Sequence, residues 1–116
     1  MDKDVTVKLV EADKLIVPLN SILDEIDEDT HSVFITHVEN LSGQVHDIER
    51  ITWYAHEKGA LVVVDVIQAA GCLPLSVRKL GVDVYIIGSY KYLCAPFGAA
   101  IAYISRSCTR ELCLSS

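Results

Sequence analysis

No apolar run in this chain approaches the roughly 20 residues needed to cross a bilayer, which argues against a membrane role. Cysteine pairing is missing as well: Cys72, Cys94, Cys108 and Cys113 form no C-x-x-C pair and no dense framework. A mostly apolar chain has little need of disulfide staples, so the thiols read as reduced. His31, His37, His46 and His56 lie on other segments, so no metal site is expected. Positive charge is in short supply. Ten basic residues stand against 16 acidic ones, for a net charge of -6, and the basic residues are scattered, so a nucleic-acid partner is not expected. Neither G-x-G-x-x-G nor G-x-x-x-x-G-K-S/T occurs, which speaks against a nucleotide-binding domain. Met1–Asp4 alternates charge instead of leading into an apolar stretch, so the expected location is cytoplasmic.

What is present is one globular unit of 116 residues, 51% hydrophobic and 22% charged. Val5 to Val10 alternates apolar and polar positions, the period of a half-exposed strand near an edge. Leu19, Ile22, Leu23 and Ile26 follow helical spacing, with Asn20 or Ser21 as cap and a solvated outer face of Asp24, Glu25, Asp27 and Glu28. Ser32 to Val38 reads as a strand, and Glu39 to Gly43 as a turn. Asp47 is placed to cap a helix whose inward stripe is Ile48, Ile51, Tyr54 and Ala55, and Gly59 to end it in the left-handed conformation. Leu61 to Val64 is a buried strand ending at Asp65. Leu75 to Leu80 reads as a weak helix opened by Pro74 and stopped by Gly81, and Val82 to Ile87 as the next strand. After a Pro96-Phe97-Gly98 turn, Ala99 to Ile104 reads as a last strand. The link before it is too short for a crossover, so it runs antiparallel. Ser105 to Ser116 is a polar tail without an assigned role.

Strands alternating with helices predict an α/β fold, a mainly parallel sheet with helices on both faces. Such sheets gather ligands at the carboxyl ends of their strands. Asp65, Lys91 and the loop at Asn40 are expected to share that edge. A lysine just past a buried strand is a candidate Schiff-base nucleophile, because partial burial disfavours its charged form. A pyridoxal cofactor needs such a lysine for its aldehyde and a carboxylate for its ring nitrogen, and Lys91 and Asp65 supply both. Gln68 offers an amide for the phenolic oxygen. Ser89 and Tyr90 add hydroxyls beside the lysine, suited to a phosphate or to holding a turn.

The order D-V-I-Q-A-A-G at Asp65–Gly71 and S-Y-K at Ser89–Lys91, with T-H-V-E-N-L-S-G upstream and A-H-E-K-G-A between, resembles the class V aminotransferases of the fold-type I pyridoxal-phosphate enzymes. That family includes cysteine desulfurases and kynureninase-like enzymes. The resemblance runs from about Val5 to Ser105 and covers the central piece of the large domain, leaving 106–116 as a tail. It implies that Lys91 carries pyridoxal 5'-phosphate as a Schiff base and is catalytic, that Asp65 pairs with the pyridine nitrogen, and that Gln68 contacts the phenolic oxygen. Asn40 lies near that oxygen or the substrate carboxylate. Where desulfurases commonly show S-G-H-K, this chain has G-S-Y-K at Gly88–Lys91. Tyr90 is similar to the phosphate-contacting tyrosine of kynureninase-like members. An amino-acid substrate and a homodimer are the implied partners. The family's amino-terminal phosphate loop and carboxy-terminal small domain have no counterpart in these residues. An alternative is an inactive fragment or a binding module that keeps the cofactor motif.

Overall fold

The computed structural model describes residues 5–114, with side chains through Arg110. Met1–Asp4 and the end of the tail, read above for a leader and a polar terminus, lie outside the described residues. In chain order the elements are α1 (Leu19–Asp24), β1 (Ser32–Thr36), α2 (Ile48–Glu57), β2 (Leu61–Asp65), α3 (Val77–Leu80), β3 (Val84–Gly88), β4 (Ala100–Ile104) and α4 (Arg106–Leu114). The four strands form one sheet in the order β1-β2-β3-β4. β1, β2 and β3 run parallel, each joined to the next through a helix, while β4 returns antiparallel to β3. The α/β class and mainly parallel sheet are those expected.

Alternation along the strands sorts residues between two faces. Val62, Val64 and Tyr85 point to one, where Ile22 and Ile26 from the α1 region and Ile48, Ile51 and Ala55 of α2 complete the buried core. The α2 stripe is the expected one, with Thr52 buried beside it, and Asp47 caps the helix through the Arg50 N–H at 3.1 Å. The opposite face carries Phe34, Val63, Val84, Ile86 and Ile104 in adjacent register. Phe34 is 74% exposed there. The expected cover on both faces is present on one face among the described residues, because the successive crossovers through α2 and α3 share one hand and put both helices on the same side.

Several boundaries differ from expectation for local reasons. Val5–Val10 is not a strand: no neighbour among the described residues offers it a ladder, and an unpaired strand has no hydrogen bonds to hold it. It is moored instead by Lys8, whose Nζ lies 2.7 Å from Asp27 Oδ2. Asn20 and Ser21 fall inside α1, which follows Pro18 without a side-chain cap. Ser76, not Pro74, opens α3, its hydroxyl accepting the Lys79 N–H at 3.3 Å. Gly81 stops α3 in the left-handed region, as read. Residues 106–114, read as a polar tail, form helix α4. Its first turn is closed by Ser105 Oγ, which accepts the Cys108 N–H at 3.2 Å.

The acid-rich side of the α1 region behaves as a solvated face bound by two lysines. Besides the Lys8–Asp27 pair, Lys58 Nζ meets Glu28 Oε1 at 2.6 Å. The Lys8 ammonium and the Thr30 hydroxyl hold the Asp27 carboxyl down at about 2.

One buried carboxylate joins three elements. Asp83 is 4% exposed and sits just before β3. Its Oδ2 accepts the Val62 N–H of β2 at 2.8 Å and lies 2.8 Å from Nε2 of His56 on α2. Its own N–H donates to the Val62 carbonyl, and its carbonyl accepts the Ser105 N–H behind β4. Removing the carboxylate leaves a buried N–H without a partner. Asp83→Ala is expected to destabilise the chain by about 3 kcal/mol in urea denaturation. His56→Ala, whose ring is half open to solvent, is expected to have a smaller effect.

Candidate functional site

Asp65 is the last residue of β2, level with Thr36 at the end of β1 and with Ile86 of β3. Its Oδ1 accepts the Ile67 N–H at 2.8 Å, a local turn that bends the chain away from the sheet. Hydrogen bonds from Ala70 N to Val66 O, and from Cys72 N and Leu73 N to Ala69 O, then wind residues 66–73 into successive turns. These turns present Gln68 at the sheet edge. Asp65, Thr36, Phe34, Ile35, Val63 and Ile86 line a shallow open depression of about 270 Å³.

Asn40 reaches the same edge from a different loop. A bridge between Val38 and Val45 and the Glu39 N–H to Gln44 O bond of 2.8 Å close the loop. Gln44 ties it to the segment before α1 by bonding both the N–H and the carbonyl of Val17. At its tip, Asn40 Oδ1 accepts a hydrogen bond from Gln68 Nε2. Two residues assigned to the site from sequence thus meet directly.

Lys91 follows β3 by three residues. Gly88 is closely packed, since a Cβ there would lie 3.0 Å from Ile67 Cγ1 and 3.2 Å from Tyr90 Cε1 and would push those side chains aside. Ser89 is buried, with its hydroxyl 2.8 Å from the Ala99 carbonyl and 3.0 Å from that of Pro96. Both bonds serve one of the two roles expected of Ser89, that of holding the turn. Tyr90 stacks on Phe97 with ring centroids 5.1 Å apart, and the Lys91 ammonium lies 6.0 Å from the Tyr90 centroid. No described acidic side chain pairs with Lys91.

The acid's loop and the lysine's loop are packed together at Gly71. Its φ is +87°, and a Cβ there would sit 2.7 Å from the Tyr92 carbonyl oxygen. The last residue of D-V-I-Q-A-A-G is therefore the contact that fixes Gln68's turn against the segment following Lys91. The groups left free suit pyridoxal 5'-phosphate. Lys91 offers an amine without an acid partner, Asp65 keeps Oδ2 for a protonated ring nitrogen, and Gln68 retains a second N–H for an oxygen.

His37, set aside as a metal ligand and otherwise read as part of the T-H-V-E-N-L-S-G strand end, belongs to this edge. Its N–H donates to the Asp65 carbonyl at 2.8 Å, and its carbonyl accepts the His46 N–H at 2.9 Å. Burial, together with the neighbouring His46, holds the His37 imidazole below its ordinary 6.5. The T-H-V-E-N run carried the signal, a polar ring at an inward position of a strand. Cys72 and Cys94 are exposed free thiols on the two packed loops, and the side chain of Cys113 lies outside the described residues. No group of three or more His, Cys, Asp or Glu among the described residues is arranged to hold a metal ion.

The pattern of the family described as Aminotransferase class-V matches residues 1–114. A probable cysteine desulfurase of Methanothermobacter thermautotrophicus is 35% identical over 112 residues, 96% of this chain and 28% of that protein. The kynureninase of Pseudomonas fluorescens is 41% identical over 68 residues, 59% of this chain and 16% of that protein. Among solved structures, the apo cysteine desulfurase of Thermococcus onnurineus NA1 superposes with a TM-score of 0.77 at 29% identity, over 86% of this chain and 25% of that one. The chain spans about a quarter of the length of such relatives.

Two outcomes follow from the site's geometry. Gly71→Ala combines a disfavoured backbone with a backbone overlap, so it is expected to lower stability by about 2 kcal/mol or more in thermal or urea denaturation. For His37, the folded state resists protonation while the unfolded chain does not. Stability is therefore level above about 6.5 and falls as the pH drops from there through the lower folded value. A pH series of denaturation midpoints checks this, and His37→Asn removes that part of the decline.

Proposed function

The chain belongs to the class V aminotransferase family, and from that premise we propose that its sheet edge binds pyridoxal 5'-phosphate at Lys91 and serves an enzyme acting on an amino acid. The observation that carries this reading is the pairing of an acid-free lysine amine with a half-committed carboxylate, on loops locked together at Gly71. When bound, the cofactor supplies an electron sink for negative charge developing at the substrate's α-carbon.

Lys91 has two tasks in this arrangement. Its amine would hold the cofactor through the aldehyde group, and the same nitrogen would take or return the proton at the substrate's α-carbon. Asp65 would hold the cofactor's ring nitrogen through Oδ2. Its Oδ1 bond to Ile67 fixes the carboxylate's direction. Gln68, steadied by Asn40, directs its remaining amide hydrogen at the phenolic oxygen. Asn40 sits next to that oxygen or to the substrate carboxylate. Tyr90 offers its hydroxyl to the phosphate, and Ser89 holds the loop that carries both Tyr90 and Lys91.

Tyr90 before the lysine favours a kynureninase-like or aminotransferase subtype over a desulfurase. The open sheet face favours a site completed by a second copy, the homodimer that the family implies, and the proposed location is the cytoplasm. No described helix is long and apolar enough to cross a membrane. The alternative, a module that keeps the motif without binding cofactor, rests on the same open face.

The test is direct. The chain mixed with pyridoxal phosphate is expected to give a visible absorption band, and borohydride reduction an adduct located by mass spectrometry at Lys91. Lys91→Ala abolishes that adduct, and Asp65→Ala weakens binding by about tenfold or more, the loss of one charge-assisted hydrogen bond. Equal labelling of surface lysines would overturn cofactor binding by this chain.

A further inference from the structure

The loop that carries Asn40 stands on two buried imidazoles. Its legs, Val38 and Val45, run directly into His37 and His46, which are 8% and 6% exposed. Their backbones are joined by the His46 N–H to His37 O bond of 2.9 Å, the rung below the Val38–Val45 bridge. His37 also donates its N–H to the carbonyl of Asp65. One residue therefore touches the backbone of the site's carboxylate and the base of the loop bearing its asparagine.

The two rings differ in what they can tolerate. His46 Nε2 lies 3.4 Å from Glu39 Oε1, so a proton on His46 has a carboxylate to face. His37 Nδ1 is buried and has no hydrogen-bond partner among the described residues. A bare ring nitrogen there is tolerable as an unused acceptor. A proton on it would place a charged N–H where nothing accepts it, beside His46. The other charged groups at this base lie elsewhere: Asp47 directs Oδ1 to the Arg50 N–H, and Asp65 directs Oδ1 to the Ile67 N–H. Neither of those bonds is spent on His37.

We propose that His37 is a positioning residue: while neutral, its ring stays buried at the base of the Asn40 loop, whose main-chain bonds run to Asp65 and His46, and its protonation drives the ring out and frees Asn40 from Gln68. The inference rests on the reading of Asn40 and Gln68 as cofactor-side groups, but the movement it describes needs no cofactor. Acid would then open the clasp that aims Gln68 while leaving the contact between Gly71 and the Tyr92 carbonyl in place. The buried position of His37 sets the midpoint below the ordinary histidine value.

The experiment follows the Gln68 side-chain amide and the His37 ring by nuclear magnetic resonance in the full chain, without cofactor, from pH 8 to 5. The expected result is a single sigmoidal shift of the Gln68 amide pair below 6.5, with the midpoint of the His37 ring, and its disappearance in His37→Asn. A Gln68 amide that does not respond to pH, or that responds equally in His37→Asn, overturns the proposal. If that variant does not fold, the unaltered chain decides alone: a Gln68 midpoint that departs from the His37 midpoint overturns it. Because no cofactor is present, failure here is distinct from failure of Lys91 to form an adduct.

Discussion

The Asp83 carboxylate is the constraint on which the rest of this structure depends. A charge that deeply buried is tolerated only when its lone pairs are used. Here they draw in the Val62 N–H of β2 and the His56 ring of α2, while the Asp83 main chain bonds Val62 again and Ser105 behind β4. One residue thus fixes the start of β3 against β2 and seats α2 on the sheet. A one-residue slip of β3 would exchange its two faces, placing Tyr85 in solvent. With the register held, Asp65 falls level with Ile86, and the chain beyond Gly88 is delivered to the same edge.

From that edge the site is assembled by loops with different anchors. The turns after Asp65 are wound by their own hydrogen bonds, the Asn40 loop hangs from His37 and His46, and the lysine loop is held by Ser89. Gly71 presses the first against the third, and the Gln68–Asn40 bond joins the first to the second. The side-chain groups that the loops leave uncommitted are the Lys91 amine and one oxygen of Asp65, the pair proposed to do the chemistry. The aromatic pair Tyr90–Phe97 beside them is open to solvent, as is the sheet face around Phe34. Both surfaces fit a chain that spans about a quarter of its relatives' length.

Much of this was readable in the sequence because the signals were local. Continuous Val/Ile runs ending at Asp65 and Gly88 gave the parallel strands, and the short link after Lys91 gave the antiparallel β4. Asp47, Gly59 and Gly81 marked helix ends by chemistry that acts within a turn. What escaped notice depends on partners distant in sequence. Val5–Val10 has a strand's alternation but no neighbour to pair with among the described residues. Asp83 looks like any acid before a strand until Val62 and His56 are brought to it. His37 carried an inward position in its strand period, yet its link to Asp65 exists only once β1 and β2 lie side by side. Ser89 was open to two roles, and its bonds to the Pro96 and Ala99 carbonyls, made once the chain returns along β3, serve the turn-holding one.

Native-state hydrogen exchange in increasing urea tests most directly whether the buried clamp and the site edge are one structural unit. The Val62 amide reports the clamp, since it donates to Asp83 Oδ2, and the Val66 amide reports the edge beside Asp65, since it donates to Ile86 O. If Asp83 holds the register that builds the site, both amides exchange through the same opening, with equal free energies and equal dependence on urea. If Val66 exchanges through a smaller local opening while Val62 stays protected, the site edge is held independently of Asp83 and the account is wrong.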